Sequence, residues 1–246
     1  PPRSTLFPYT TLFRSAFAEE QAGYLAGYAA VKDGYTKLGF LGGMAVPAVV
    51  RYGYGFIQGA DAAAAEMGVN IEINYTYGGQ FFGDANITAK MDGWYSAGTE
   101  IVFACGGGIY TSAIEAALNY DAKVIGVDVD QNYLGVNGVN DGTYAYNPFV
   151  TSARKGLQNV TETALAELQA GNWANYSGQF LTFSLAEGDY VGLPTAADSW
   201  NFSTFTVEEY EAVKAAIMDG TIVINNSSDT TVLPEVSEFT TVNVIE

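Results

Sequence analysis

A chain of 246 residues that is 48% hydrophobic carries enough apolar side chain to bury a full core, in one large domain or two small ones. Its formal net charge is −17 with only ten Lys and Arg, which repels phosphate backbones and anionic membrane surfaces and leaves nucleic acid out as a partner. There is no histidine, which removes His-based triads and His-ligated metal sites, and the one cysteine, Cys105, lies in an apolar run, so no internal disulfide forms and an inert core thiol is expected.

Residues 1–15, PPRSTLFPYTTLFRS, do not match the rest of the chain: they repeat Thr-Leu-Phe at 5–7 and 11–13 and read as a non-native extension. From Ala16 to Lys32 the pattern puts Tyr24, Leu25, Tyr28, Ala29 and Val31 on one helical side, with Glu19 and Glu20 where a helix N-terminus favours negative charge; this helix is expected without a strand before it. Lys37 to Leu41 reads as a strand, followed by a helix that Pro47 opens and in which Gly53, Gly55 and Gly59 permit close packing. Val69 to Tyr75 alternates as a strand, and a helix spans about Asp84 to Ala97.

The stretch EIVFACGGGIYTSAIEAALNYDAKVIGVDVDQ, from Glu100 to Gln131, holds a buried strand at Ile101–Cys105, three glycines, a helix with Ile114, Ala117 and Leu118, and a second strand ending on Asp128. Strands alternating with helices imply an α/β fold whose parallel sheet is joined by right-handed crossovers, and ligands of such sheets sit outside the carboxyl ends of the strands. Asn132 to Asn147, rich in Gly, Asn and Tyr, reads as a long crossover into a helix over Thr151 to Ala170. Phe180–Leu185 and Tyr190–Leu193 are strand-like, Thr206 with Glu209 forms a capping box for a helix to Met218, and a closing strand at Thr221–Ile224 precedes an irregular tail.

Four features carry candidate chemistry. Gly106-Gly107-Gly108 with Asp128 on the next strand approaches a dinucleotide arrangement, but Thr111 stands where the third glycine belongs; a tight turn onto a helix fits equally, and backbone N–H groups near a carboxylate that can grip a sugar are what remains. Asp128-Val129-Asp130 after a hydrophobic strand also looks like the Asp-x-Asp of a metal-dependent phosphatase or a sugar-nucleotide transferase, although Asn132 replaces the expected Thr or Val and no later acidic pair is recognisable. Arg154 and Lys155 are adjacent cations placed at a helix start, where positive charge is disfavoured. Among 17 tyrosines and 14 phenylalanines, most are core, but Trp200 and Phe202 sit in a polar loop.

The stretches EEQAGYLAGYAA, KLGFLGGMAVPAVVRYGYGFIQGA, GTEIVFACGGG, KVIGVDVDQ, VTSARKG and FTVEEYEAVKAAIMDGTIVI resemble the basic membrane protein family of ABC-transporter substrate-binding lipoproteins, which carry nucleosides. The resemblance implies a type I periplasmic-binding-protein-like fold of two lobes closing on ligand at a hinge. It places the ribose-binding aspartate at Asp128, the ribose-contacting lysine at Lys155, the glycine loop at Gly106, Gly107 and Gly108, and a base-stacking aromatic at Phe103. An acidic position that reads the base edge falls at Glu20 or Gln21, and Trp200 lies in the loop that approaches the hinge.

The implied protein is not an enzyme and needs no cofactor or metal. Its partners are a nucleoside, a purine one first, and an ABC permease, and it is extracytoplasmic with a lipid anchor that this chain does not carry. A sensory domain of the same fold is a third reading. No segment reaches the roughly 18 apolar residues of a membrane span and no signal-peptide pattern precedes the fold, so the chain is either cytoplasmic or lacks its targeting segment. Family members have a full first sheet where PPRSTLFPYTTLFRS stands, so most of the first lobe is expected to be lost: 16–36 and 142–175 as its remnant, 37–141 and 176–246 as the second lobe. Asn132–Tyr146 exceeds the short link the family implies between the aspartate and the lysine.

Overall fold

The computed structural model describes residues 13–245. Nine strands and seven α-helices follow in the order β1 (Arg14–Phe17), α1 (Glu19–Lys32), β2 (Lys37–Gly42), α2 (Pro47–Met67), β3 (Ile71–Tyr77), α3 (Ala85–Ser96), β4 (Ile101–Cys105), α4 (Tyr110–Ala117), β5 (Lys123–Asp128), α5 (Asn132–Asn140), β6 (Phe149–Lys155), α6 (Leu157–Gln169), β7 (Phe180–Phe183), β8 (Val191–Gly192), α7 (Val207–Met218) and β9 (Thr240–Val244). Seven strands form one sheet in the order β8-β6-β5-β4-β2-β3-β9, all parallel except the β6–β8 pair, and β1 pairs with β7 in a separate parallel ribbon.

Alternation along the strands sorts the core into two layers. Ile101, Phe103 and Cys105 of β4 point to one face, where Phe40, Tyr52, Phe56 and Leu25 meet them; Val102 and Ala104 point to the other, against Met91, Trp94 and Ile114. Helices α1, α2 and α7 cover the first face, and α3 and α4 the second. The closest packing is between α1 and α2. A Cβ on Gly55 or Gly59 would meet the backbone carbonyls of Glu20 and Tyr24, and one on Gly23 or Gly27 those of Tyr52 and Phe56, so these glycines set the separation of the two helix axes.

Several expectations change. A strand does precede the first helix: Ala16 and Phe17 belong to β1, together with Arg14 and Ser15 from the expected extension, and pair with Phe180–Phe183. The first twelve residues of that extension lie outside the described residues. The long crossover contains α5, and the helix expected over Thr151–Ala170 is a strand followed by a helix. The reason is burial: Phe149 to Ala153 are enclosed on both faces, so β6 shows none of the polar alternation that marks a strand. Thr221–Ile224 forms no strand, whereas Thr240–Val244 does, along β3. β6, within the 142–175 segment expected in the first lobe, is hydrogen-bonded into the seven-stranded sheet, and β7, expected in the second, pairs with β1. Among the described residues no helix is long and apolar enough to cross a membrane.

Candidate functional site

The chain runs from β2 outward to β3 and then returns across β2 to β4, so the winding reverses between β2 and β4. Loops leaving two such strands diverge and open a crevice at their carboxyl ends. A cavity of about 320 Å³ lies there. Its floor is Cys105 and Tyr52, its apolar wall Val46, Val49 and Val127, and its rim Phe81, Gly106 and Gly107, with Asp128 and Lys155 as the charged pair. Two larger hollows, of about 460 and 520 Å³, border the tail segment; the first has no ionised side chain in its wall and the second only acidic ones, so neither brings opposite charges together.

Asp128 ends β5 with φ of 67°, a left-handed backbone that is unfavourable for a residue with a Cβ and that surrounding contacts must hold. Gln131 supplies them: its Oε1 accepts from the Val127 N–H at 2.9 Å, and its own N–H donates to Ser152 Oγ at 3.0 Å, tying the exit of β5 to β6. Asp128 is paired with Arg154 in the ladder, which places Lys155 one step further and on the cavity side. Lys155 Nζ stands 2.9 Å from Asp128 Oδ1, 4.0 Å from Glu19 Oε1 and 5.5 Å from the centre of the Tyr52 ring. Arg154 lies with Nη2 3.7 Å from Asp189 and 3.4 Å from the Leu193 carbonyl. These two cations therefore close a strand and do not open a helix.

The glycine loop acts through space and backbone shape. A Cβ on Gly106 would come within 2.8 Å of the Gly43 backbone, and Gly107 has φ of 51°. The Gly108 N–H donates to the Phe81 carbonyl at 2.7 Å, which fixes Phe81 over the loop with 39% of its surface exposed. Burial pushes the Cys105 thiol well above its ordinary value, so this floor residue is held as an uncharged thiol.

Other expected site residues go elsewhere. Phe103 is 0% exposed, wedged among Phe40, Tyr52 and Phe56, and has no face left for a ligand: its position on β4 points into the helix-covered layer. Trp200 donates from Nε1 to the Phe205 carbonyl at 2.9 Å and packs on Phe202, Phe205 and Tyr210, outside the cavity. Gln21 accepts the Leu185 N–H through Oε1 at 3.0 Å and so ties α1 to the β7 segment. Glu20 is buried, with Oε2 unpartnered by any hydrogen bond, and burial raises its carboxyl above 4.5. Asp130 Oδ1 accepts the Asn132 N–H at 3.1 Å, and among the described residues no group of three or more His, Cys, Asp or Glu side chains gathers around a metal position.

A cleft at the reversal point of a helix-covered, mostly parallel sheet is the architecture of a periplasmic-binding-protein-like fold. The solved ABC transporter solute-binding protein of Aeropyrum pernix K1 superposes with a TM-score of 0.69 at 18% identity, covering 88% of this chain and 67% of that one, and shows the fold. The profile of the family described as "ABC transporter substrate-binding protein PnrA-like" matches residues 10–228, and the chain belongs to this Bmp family. Relatives include the "ABC transporter nucleoside-binding protein BmpA" of Lactococcus lactis, 30% identical over 85% of this chain, and "Basic membrane protein B" of Borreliella burgdorferi, 31% identical over 75%. These matches span 59% and 51% of the two relatives' lengths.

Proposed function

We propose that the chain is the ligand-gripping part of an extracytoplasmic, lipid-anchored substrate-binding protein of an ABC importer, that its ligand is a nucleoside, and that it catalyses no reaction. The observation that carries this reading is the Asp128–Lys155 pair, 2.9 Å apart at the mouth of a cavity whose rim bears the exposed ring of Phe81. A ribose cis-diol needs an acceptor and a donor side by side, and a base needs a flat apolar face. Both stand here within one small-molecule-sized cavity, such sites running from about 300 to 1,000 Å³. Phe81 takes the stacking role for which Phe103 has no free face. The name of the lactococcal relative agrees with a nucleoside. In this reading the ribose hydroxyls donate to Asp128 and accept from Lys155, Gly106 and Gly107 let the ligand approach the backbone, and closure of a second lobe presents the complex to a permease.

Isothermal calorimetry with adenosine, guanosine, uridine, free adenine and ribose tests this. At least one nucleoside is expected to bind more tightly than its base or its sugar alone. Each hydrogen bond to a charged group contributes about 1.5–3 kcal/mol, so Asp128→Ala should cost more than tenfold in affinity. Phe81→Ala should weaken nucleosides while leaving ribose unchanged. If none of the nucleosides binds, or if Asp128→Ala binds as the parent does, the reading is wrong.

A further inference from the structure

The side chains behind Lys155 form a chain of alternating charge, Arg51, Glu19, Lys155 and Asp128. Glu19, at the start of α1, is 4% exposed at its side chain, and its two carboxylate oxygens are divided between two cations. Oε2 takes both Arg51 donors, Nη2 at 2.6 Å and Nε at 2.8 Å, while Oε1 faces Lys155 Nζ at 4.0 Å. Arg51 comes from α2 and Lys155 from β6, so three elements meet at this one carboxylate.

We propose that Arg51 is a positioning residue of the ligand site: by holding Glu19 it sets where the Lys155 ammonium stands relative to Asp128. A buried carboxylate without full hydrogen bonding is costly and turns toward any available donor. With Oε2 satisfied by the guanidinium, Glu19 leaves Lys155 to approach Asp128, and the 2.9 Å against 4.0 Å separations record that division. Without Arg51, Glu19 would have one cation in reach, and Glu20, whose Oε2 lies 3.8 Å from Arg51 Nε, would lose its nearest positive charge as well. Two neighbouring carboxylates would then compete with Asp128 for one ammonium. The Tyr52 ring beneath Lys155 does not prevent this, because a cation–π contact of this kind contributes only about 0.5–2 kcal/mol. Arg51 is absent from the wall of the cavity, and Glu19 is the side chain that touches both it and Lys155.

The affinity consequence rests on the nucleoside reading; the placement of Lys155 does not, and the test separates them. The ¹⁵N ammonium resonance of Lys155, assigned by its loss in Lys155→Met, is expected to shift in Arg51→Met and in Glu19→Gln and to return in Arg51→Lys. Adenosine and guanosine binding should weaken roughly tenfold in Arg51→Met, the low end of the loss that follows removal of a partner that orients a metal ligand. Arg51→Lys should recover most of it, and Arg51→Met should cost nothing further in a Lys155→Met background. An unmoved Lys155 resonance in Arg51→Met overturns the proposal, as does an equal affinity loss with and without Lys155. If none of adenosine, guanosine and uridine binds the unaltered chain, the nucleoside reading falls and the resonance alone decides the role of Arg51. Should Arg51→Met not fold, Glu19→Gln, which keeps the side-chain shape, gives the same resonance measurement.

Discussion

Glu20 shows how one side chain couples burial to pH. Its folded carboxyl is raised above 4.5, chiefly by burial, with its own backbone N–H and Arg51 pulling the other way. The folded state therefore holds the proton more tightly than the unfolded state. Its contribution favours folding below pH 4.5 and is lost as pH rises from there through the folded value. Glu20→Gln keeps the shape and removes the titration. It should melt at a higher temperature than the parent at pH 7, with the gap closing toward pH 4; a lower melting temperature at pH 7 would contradict this. The residue scale also marks what the sequence can and cannot convey. Asp128 at a strand exit is legible from motif and alternation, whereas Lys155, which the sequence places at a helix start, ends a strand, and only the family resemblance points to it. Phe103 and Phe81 are both phenylalanines near the glycine loop, and only the face of β4 and the Gly108–Phe81 hydrogen bond separate the core ring from the exposed one.

Among the elements, α1 and α2 form a pair in which backbone meets backbone. Replacing Gly59 by Ala should raise helix propensity by up to about 1 kcal/mol. It also drives a methyl into the Tyr24 carbonyl, an overpacking that costs about 1–3 kcal/mol or more because main chain cannot rotate away. The clash wins, so Gly59→Ala should lower the urea midpoint, and a rise would show that the helices can separate. These glycines were legible as close packing. The strand β6 was not, because a segment buried on both faces carries no periodicity and FVTSARK lacks the branched run of its neighbours. Nor was β9, a half-exposed edge of five residues whose pairing with β3 depends on contact far along the chain. The capping box of Thr206 and Glu209 is present as read, since both partners lie within one helical turn.

For the whole molecule the governing quantity is charge. With a net charge of −17, folding gathers like charges that the unfolded chain keeps apart. Raising NaCl from about 0.01 M to about 1 M shortens the screening length from roughly 30 Å to 3 Å. The melting temperature should rise with it, and a fall would mean that ion pairs such as Arg51–Glu19 outweigh the general repulsion.

The pairing of β3 with β9 also bears on how the chain is made. Ile71 lies beside Thr240, and the Thr76 hydroxyl donates to the Ile245 carbonyl, two positions separated by 169 in sequence. At a synthesis rate of about 5–20 residues per second, roughly ten seconds or more pass between the emergence of β3 from the ribosome and the arrival of its neighbour. For that interval β3 is an open sheet edge, able to pair with the same strand of another nascent chain. Aggregation on a crowded polysome is therefore the hazard this topology creates.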